Sequence, residues 1–183
     1  MSALVGVAIG GTKCTLATWD MDDAPREVLR LATSGPRETI AELKAAIYGT
    51  CGDKAAVIGI SCGGPLDEEA GRILSPPNLP GWDDVPIRDL LSNHGQRTHL
   101  MNDANAGAIA EWRYGAAKGA AHAVFLTFGS GMGAGLILND RLYEGADHFA
   151  GEVGHWRLAP AGPEGFGKPG SFEGFCSGNG VLR

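Results

Sequence analysis

No stretch of the sequence is apolar over the roughly 20 residues that a membrane-crossing helix needs. The start of the chain lacks the basic flank and sustained apolar run of a secretory signal, so none is expected. Positive charge is in short supply: 15 Lys and Arg face 21 Asp and Glu, a formal −6, with no basic stripe. That balance argues against nucleic acid as the main partner. The four cysteines, Cys14, Cys51, Cys62 and Cys176, are scattered and form no C-x-x-C pair. They are expected to be free thiols in a cytoplasmic protein that builds its core without disulfides. Low hydrophobicity is absent too, and 44% hydrophobic with 20% charged residues is a composition that buries a core.

Glycine is what the chain has in excess, 29 of 183 residues, against a usual share of about 7%. No Gly-X-Y period is present, which excludes collagen, and the glycines fall in short groups. Backbone turns that bind phosphate are one reason for such groups. Apolar runs at 4–9, 14–19 and 28–32 read as strands, the first two as a hairpin. A helix follows from Pro36, with Ile40, Leu43 and Ile47 at helical spacing, Ser34 placed to cap it and Gly49 to end it. Further strands are expected at 55–61, 98–101, 124–128 and 136–138, and helices at 85–91 and 104–114. Strands feeding helices make this an α/β chain.

Four places could carry chemistry. Gly10-Gly11-Thr12-Lys13 offers consecutive N–H groups, a hydroxyl and a cation suited to phosphate. Taken alone it is an ordinary Gly-Gly hairpin with a surface lysine, and it is neither a P-loop nor a Rossmann fingerprint. Gly129-Ser130-Gly131-Met132-Gly133-Ala134-Gly135 is a second glycine turn, and two such nests suggest a polyphosphate held between two lobes. Asn102 and Asp103 stand at a strand end and helix start, where a carboxylate can take a hydroxyl proton or simply cap the helix. Glu152 and His155, with Glu173 further on, suit the hydroxyls of a sugar, a structural ion pair or a metal.

Five segments in order resemble the ROK family of sugar kinases and repressors, which has the actin-like ATPase (ribonuclease H-like) fold. They are 7–13, Ser75-Pro76-Pro77-Asn78-Leu79-Pro80-Gly81-Trp82, 100–106, 128–135 and Ala150-Gly151-Glu152-Val153-Gly154-His155. The resemblance implies an N-terminal lobe over 1–115, with the first phosphate turn, and the beginning of a second lobe over 116–183. It implies phosphoryl transfer from ATP, with Mg²⁺, to a hexose hydroxyl, glucose-like by preference. Asp103 would be the general base, and Gly64, Asn78, Asn102, Glu152, His155 and Glu173 would line the sugar pocket. Gly10, Gly11, Thr12 and Lys13, with Gly131, Met132 and Gly133, would hold the nucleotide. A homodimer is expected from the same resemblance, and the phosphate turn at residue 10 leaves no room for the helix-turn-helix domain of the repressors.

Three departures qualify that picture. Ala8 stands where the family has an Asp that helps to place Mg²⁺, which opens the alternative of a catalytically impaired sugar-binding or regulatory relative. Against the family's zinc signature, Cys-x-Cys-Gly-x-x-Gly-Cys-x-Glu, this chain has Glu164, Phe166 and Ser171 in place of cysteine, while keeping Gly167, Gly170 and Glu173. His155 would be the fourth ligand. No structural zinc is therefore expected, the loop being held instead by Phe166 and Phe172. Family kinases also extend beyond this length, so the sequence is expected to be a fragment or a shortened form.

Overall fold

Val5, Val7 and Ile9 are buried while Gly6 and Ala8 are exposed along β1, Ala3–Ile9. This is the period-two pattern of a strand with one covered face. β2, Lys13–Trp19, returns antiparallel with Cys14 opposite Ile9, and β3, Arg26–Ala32, pairs antiparallel with β2. The structure is a computed structural model and describes residues 3–19, 24–52, 56–92 and 96–182. Ala55, expected to begin a strand, lies outside the described residues.

Helix α1, Pro36–Cys51, buries Ile40, Leu43 and Ile47 as its spacing requires. It runs through Gly49, the expected end, because Cys51 continues the apolar face one turn beyond Ile47. Gly52, at φ 59°, stops it. Ser34 does not cap this helix: Gly35 precedes it, and the Ser34 N–H donates to Thr39 Oγ1 at 3.2 Å.

β4, Ala56–Cys62, lies parallel to β1. A small hairpin follows, β5 (Leu66–Asp67) and β6 (Arg72–Ile73), then α2, Ile87–Leu91. α2 begins two residues later than expected, because Val85 exchanges backbone hydrogen bonds of 2.8 and 2.9 Å with Ile73. β7, Arg97–Asn102, is parallel to β4 and completes a five-stranded sheet ordered β3-β2-β1-β4-β7. Its core joins Val5, Leu16, Leu43, Ile58, Ile60 and Trp82. The Trp82 indole N–H donates to the Ser34 carbonyl at 3.1 Å.

The chain packs as two compact units that divide in sequence between Asp103 and Ala104. α3, Asp103–Tyr114, leads to a hairpin of β8, Ala123–Phe128, and β9, Met132–Ile137. After a single 3-10 turn at Val153–His155 come β10 (Glu164–Gly165), β11 (Lys168–Pro169), α4 (Phe172–Cys176) and α5 (Gly178–Val181). The return strand of the hairpin begins at Met132, four residues before the expected Leu136. Gly135 is thus a strand residue beneath α3: a Cβ there would lie 2.5 Å from that of Ala108 and closer still to the Ala104 carbonyl oxygen. Its smallness serves packing. Among the described residues no helix is long and apolar enough to cross a membrane.

Candidate functional site

β1, β4 and β7 run parallel, so their carboxyl ends share one edge of the sheet, where open α/β sheets place their ligands. The chain leaves β1 into Gly10, β4 into Gly63 and Gly64, and β7 into Asp103. Register sets Cys62 beside Asn102. A Cβ on Gly63 would come within 3.9 Å of Asp103 Oδ2, and one on Gly64 within 3.9 Å of Asn102 Nδ2. The fold therefore brings Gly64, Asn102 and Asp103 together. Asp103 is exposed, whereas the Cys62 thiol behind it is fully buried. Burial, and then the Asp103 carboxylate, push that thiol well above its ordinary range.

The first turn closes by a bond from the Gly10 N–H to the Lys13 carbonyl at 3.0 Å, and Thr12 O accepts the Thr33 N–H at 3.1 Å. Gly11, Thr12 and Lys13 are exposed, and no acceptor among the described residues takes the Gly11 or Thr12 N–H. Asn78 arrives from the proline-rich loop and presses on this turn. A Cβ on Gly11 would be 2.6 Å from the Asn78 carbonyl oxygen and 2.9 Å from its Cβ. Only glycine fits so close an approach.

The second unit holds the other candidates. The N–H groups of two residues expected to hold phosphate already have protein acceptors. Met132 N–H donates to Glu173 Oε2 at 2.9 Å and Gly133 N–H to Thr127 Oγ1 at 3.0 Å. Glu173, expected on the sugar side, thus meets Met132, expected on the nucleotide side. Gly131 O accepts the Gly129 N–H within the turn, and Gly129 O accepts from Gly178 N–H at 2.8 Å. Glu152 Oε2 and His155 Nε2 are 3.6 Å apart and about half exposed.

His155 stacks on Phe166, ring centroids 4.2 Å apart. Its carbonyl accepts the Lys168 ammonium at 2.6 Å. Ser171 is fully buried; its Oγ accepts the Gly165 and Gly174 N–H groups at 3.1 and 3.0 Å and donates to Gly165 O. Phe172 packs against Met132, Ala134 and Val153. Among the described residues no three His, Cys, Asp or Glu groups are placed to hold a metal. This loop does not fit the family's zinc: a phenyl ring and a hydroxyl occupied by backbone stand at two of its ligand positions.

Glu68, in the turn between β5 and β6, reaches the candidate site without any signal in the sequence: its Oε1 accepts the Asn102 N–H at 2.8 Å. Nothing in the sequence marks a carboxylate whose partner is a backbone amide 34 positions away.

A family model described as the ROK family matches residues 4–183. A glucokinase of Thermotoga maritima is 33% identical, over 98% of this chain and 59% of its own. A xylose repressor of Caldicellulosiruptor bescii is 39% identical over 54% of this chain and 25% of its own length. Among solved structures, a ROK family glucokinase from Streptomyces griseus in complex with glucose and AMPPNP matches with a TM-score of 0.85 and 31% identity. It covers all of this chain, which in turn spans 59% of that one. The five-stranded mixed sheet matches the N-terminal lobe of that actin-like fold. The chain spans about three-fifths of the length of these glucokinases.

Proposed function

The chain belongs to the ROK family, and on that premise we propose that it carries the catalytic base and much of the sugar pocket of a cytoplasmic, homodimeric, ATP-dependent hexose kinase. The observation that carries the proposal is the meeting of Asp103, Asn102 and Gly64 at the carboxyl edge of the parallel strands, where the 10–13 turn also emerges. Asp103 Oδ accepts the proton of a sugar hydroxyl as that oxygen bonds to the γ-phosphorus of ATP. The bond from the γ-phosphorus to the β–γ bridging oxygen breaks, and ADP leaves with the electron pair. Asn102 and Asn78 orient the sugar on the first unit, and by the resemblance Glu152, His155 and Glu173 are the sugar residues that the second unit would supply. The exposed Gly11 and Thr12 amides and Lys13 suit the phosphates; by the resemblance Gly131, Met132 and Gly133 are the second unit's nucleotide residues, although the Met132 and Gly133 amides already have protein acceptors. Residues 1–115 would act as the first lobe and 116–183 as the opening of the second.

Magnesium supplies charge neutralisation in such transfers, through oxygen ligands. Ala8 is exposed on the sheet face opposite the core and brings only a methyl group, which offers a cation or its waters no oxygen. Ala8 is also the observation that favours a second reading, a sugar-binding or regulatory relative with impaired catalysis.

One experiment separates the two. Coupled ADP release is measured over a panel of glucose, mannose, fructose and N-acetylhexosamines, with sugar binding followed by calorimetry, on the full-length protein. Sugar-dependent ADP release supports the kinase. Binding without release gives the second reading, and binding of neither sugar nor nucleotide sinks both.

A further inference from the structure

The Asn102–Asp103 pair sits on a junction where β7 gives way directly to α3. The amide just before a helix is often held by a carboxylate reaching back from its first turn. Here the carboxylate comes from elsewhere in the fold, as Glu68 Oε1 accepts the Asn102 N–H at 2.8 Å. A bond to an ionised acceptor is about twice as strong as a neutral one, and negative charge is favoured beside a helix start.

The turn that carries Glu68 is itself clamped. Arg88 Nη1 donates to the Glu69 carbonyl at 2.7 Å and Nη2 to the Ala70 carbonyl at 2.9 Å. The Arg88 N–H reaches Gly71 O at 3.1 Å, and Asp67 Oδ1 accepts the Ala70 N–H at 2.7 Å. A guanidinium fork on two successive carbonyls fixes a turn in a way that one bond cannot. A continuous path therefore runs from Arg88 through the 68–71 turn and Glu68 to the peptide that carries Asn102.

We propose that Glu68 is a positioning residue for the Asn102–Asp103 pair, and that the Arg88 clamp holds it in place. Rotation of the peptide preceding Asn102 would swing both side chains, and a displacement of about 1 Å at a reacting group costs up to roughly a hundredfold in rate. The rate consequence rests on the kinase reading; the geometric one does not.

The test compares Glu68→Gln, which keeps an acceptor oxygen, with Glu68→Ala, which removes it, in the full-length protein. Amide hydrogen exchange at Asn102 is read by NMR without sugar or nucleotide. Glu68→Ala is expected to speed that exchange at least tenfold and to move the amide proton upfield, with Glu68→Gln, a neutral and weaker acceptor, falling between alanine and wild type. Turnover should follow the same order, kcat falling roughly tenfold or more in the alanine variant and recovering in part in glutamine. Should Glu68→Ala fail to fold, Arg88→Ala is read the same way and should speed exchange at Asn102 several-fold. Unchanged exchange at Asn102 in a folded Glu68→Ala or Arg88→Ala protein overturns the proposal, as does Glu68→Gln behaving like alanine. If exchange responds as expected while wild type phosphorylates no sugar, the positioning role stands and the kinase reading falls.

Discussion

The imidazole of His155 lies against the ring of Phe166, planes 29° from parallel and centroids 4.2 Å apart. In the family's metal signature these two positions are both zinc ligands; here they are joined by a stack instead. Phe166 reaches it from left-handed backbone, φ 52°, a cost of about 1–2 kcal/mol for a side chain of this kind that the stack helps to offset. Ser171, at a third ligand position, ties the Gly165 and Gly174 amides through one hydroxyl.

Chelation should accordingly leave the protein intact. Prolonged dialysis against a strong chelator is expected to leave Tm within a degree or so, and elemental analysis to find no stoichiometric zinc. Ser171→Ala, which strands two buried N–H groups, should cost about 2 kcal/mol in urea unfolding. Stoichiometric zinc that survives the chelator would contradict this account of the loop.

Asp103→Asn keeps the shape and hydrogen-bonding reach of the side chain while removing its basicity. Turnover is expected to fall by at least about a hundredfold, the lower range for general base catalysis, with sugar affinity largely retained. Paired initial-rate and calorimetric measurements check this, and equal turnover would remove Asp103 from the role of base.

The two strand glycines of β9 should respond differently to the same substitution. Gly135→Ala drives a methyl group into Ala108 and the Ala104 carbonyl, and overpacking of this kind costs about 1–3 kcal/mol. Gly133→Ala meets only ordinary contacts, 3.5 Å to the Ala104 Cβ and 3.6 Å to Thr127 Oγ1, and should be near neutral. Thermal melts of the two variants make the comparison.

Thiol chemistry gives a pH-dependent check. Burial raises Cys14, Cys51 and Cys62 above the ordinary thiol value of 9.0, a bond with Thr33 partly opposing it at Cys14. Cys176, only half-buried, should therefore react first with a maleimide in native protein, the other three after unfolding. Since the unfolded thiols ionise first, the stability that burial confers is complete below pH 9.0 and declines above it. Urea midpoints at pH 8 and pH 10 measure the fall.

The sequence made some of this legible and concealed the rest for physical reasons. Alternation in Val5, Val7 and Ile9, and helical spacing in Ile40, Leu43 and Ile47, report burial directly, so the sheet and α1 could be read off. Gly10 and Asp103 were legible because strands end there. Gly133 and Gly135 look like turn residues in the sequence but lie in β9, because small residues look alike whether they bend the chain or admit a helix against it. Glu68 left no trace, since a partner that is a backbone amide has no letter of its own.

Gly11 lies so close to the Asn78 backbone carbonyl and Cβ that it has no space for a side chain unless that loop moves. The turn proposed to face phosphate and the loop proposed to face sugar are thus fitted to each other at this contact before either meets a ligand. Any rearrangement of the proline-rich loop that shifts the Asn78 backbone therefore has to release or carry with it the turn at Gly11.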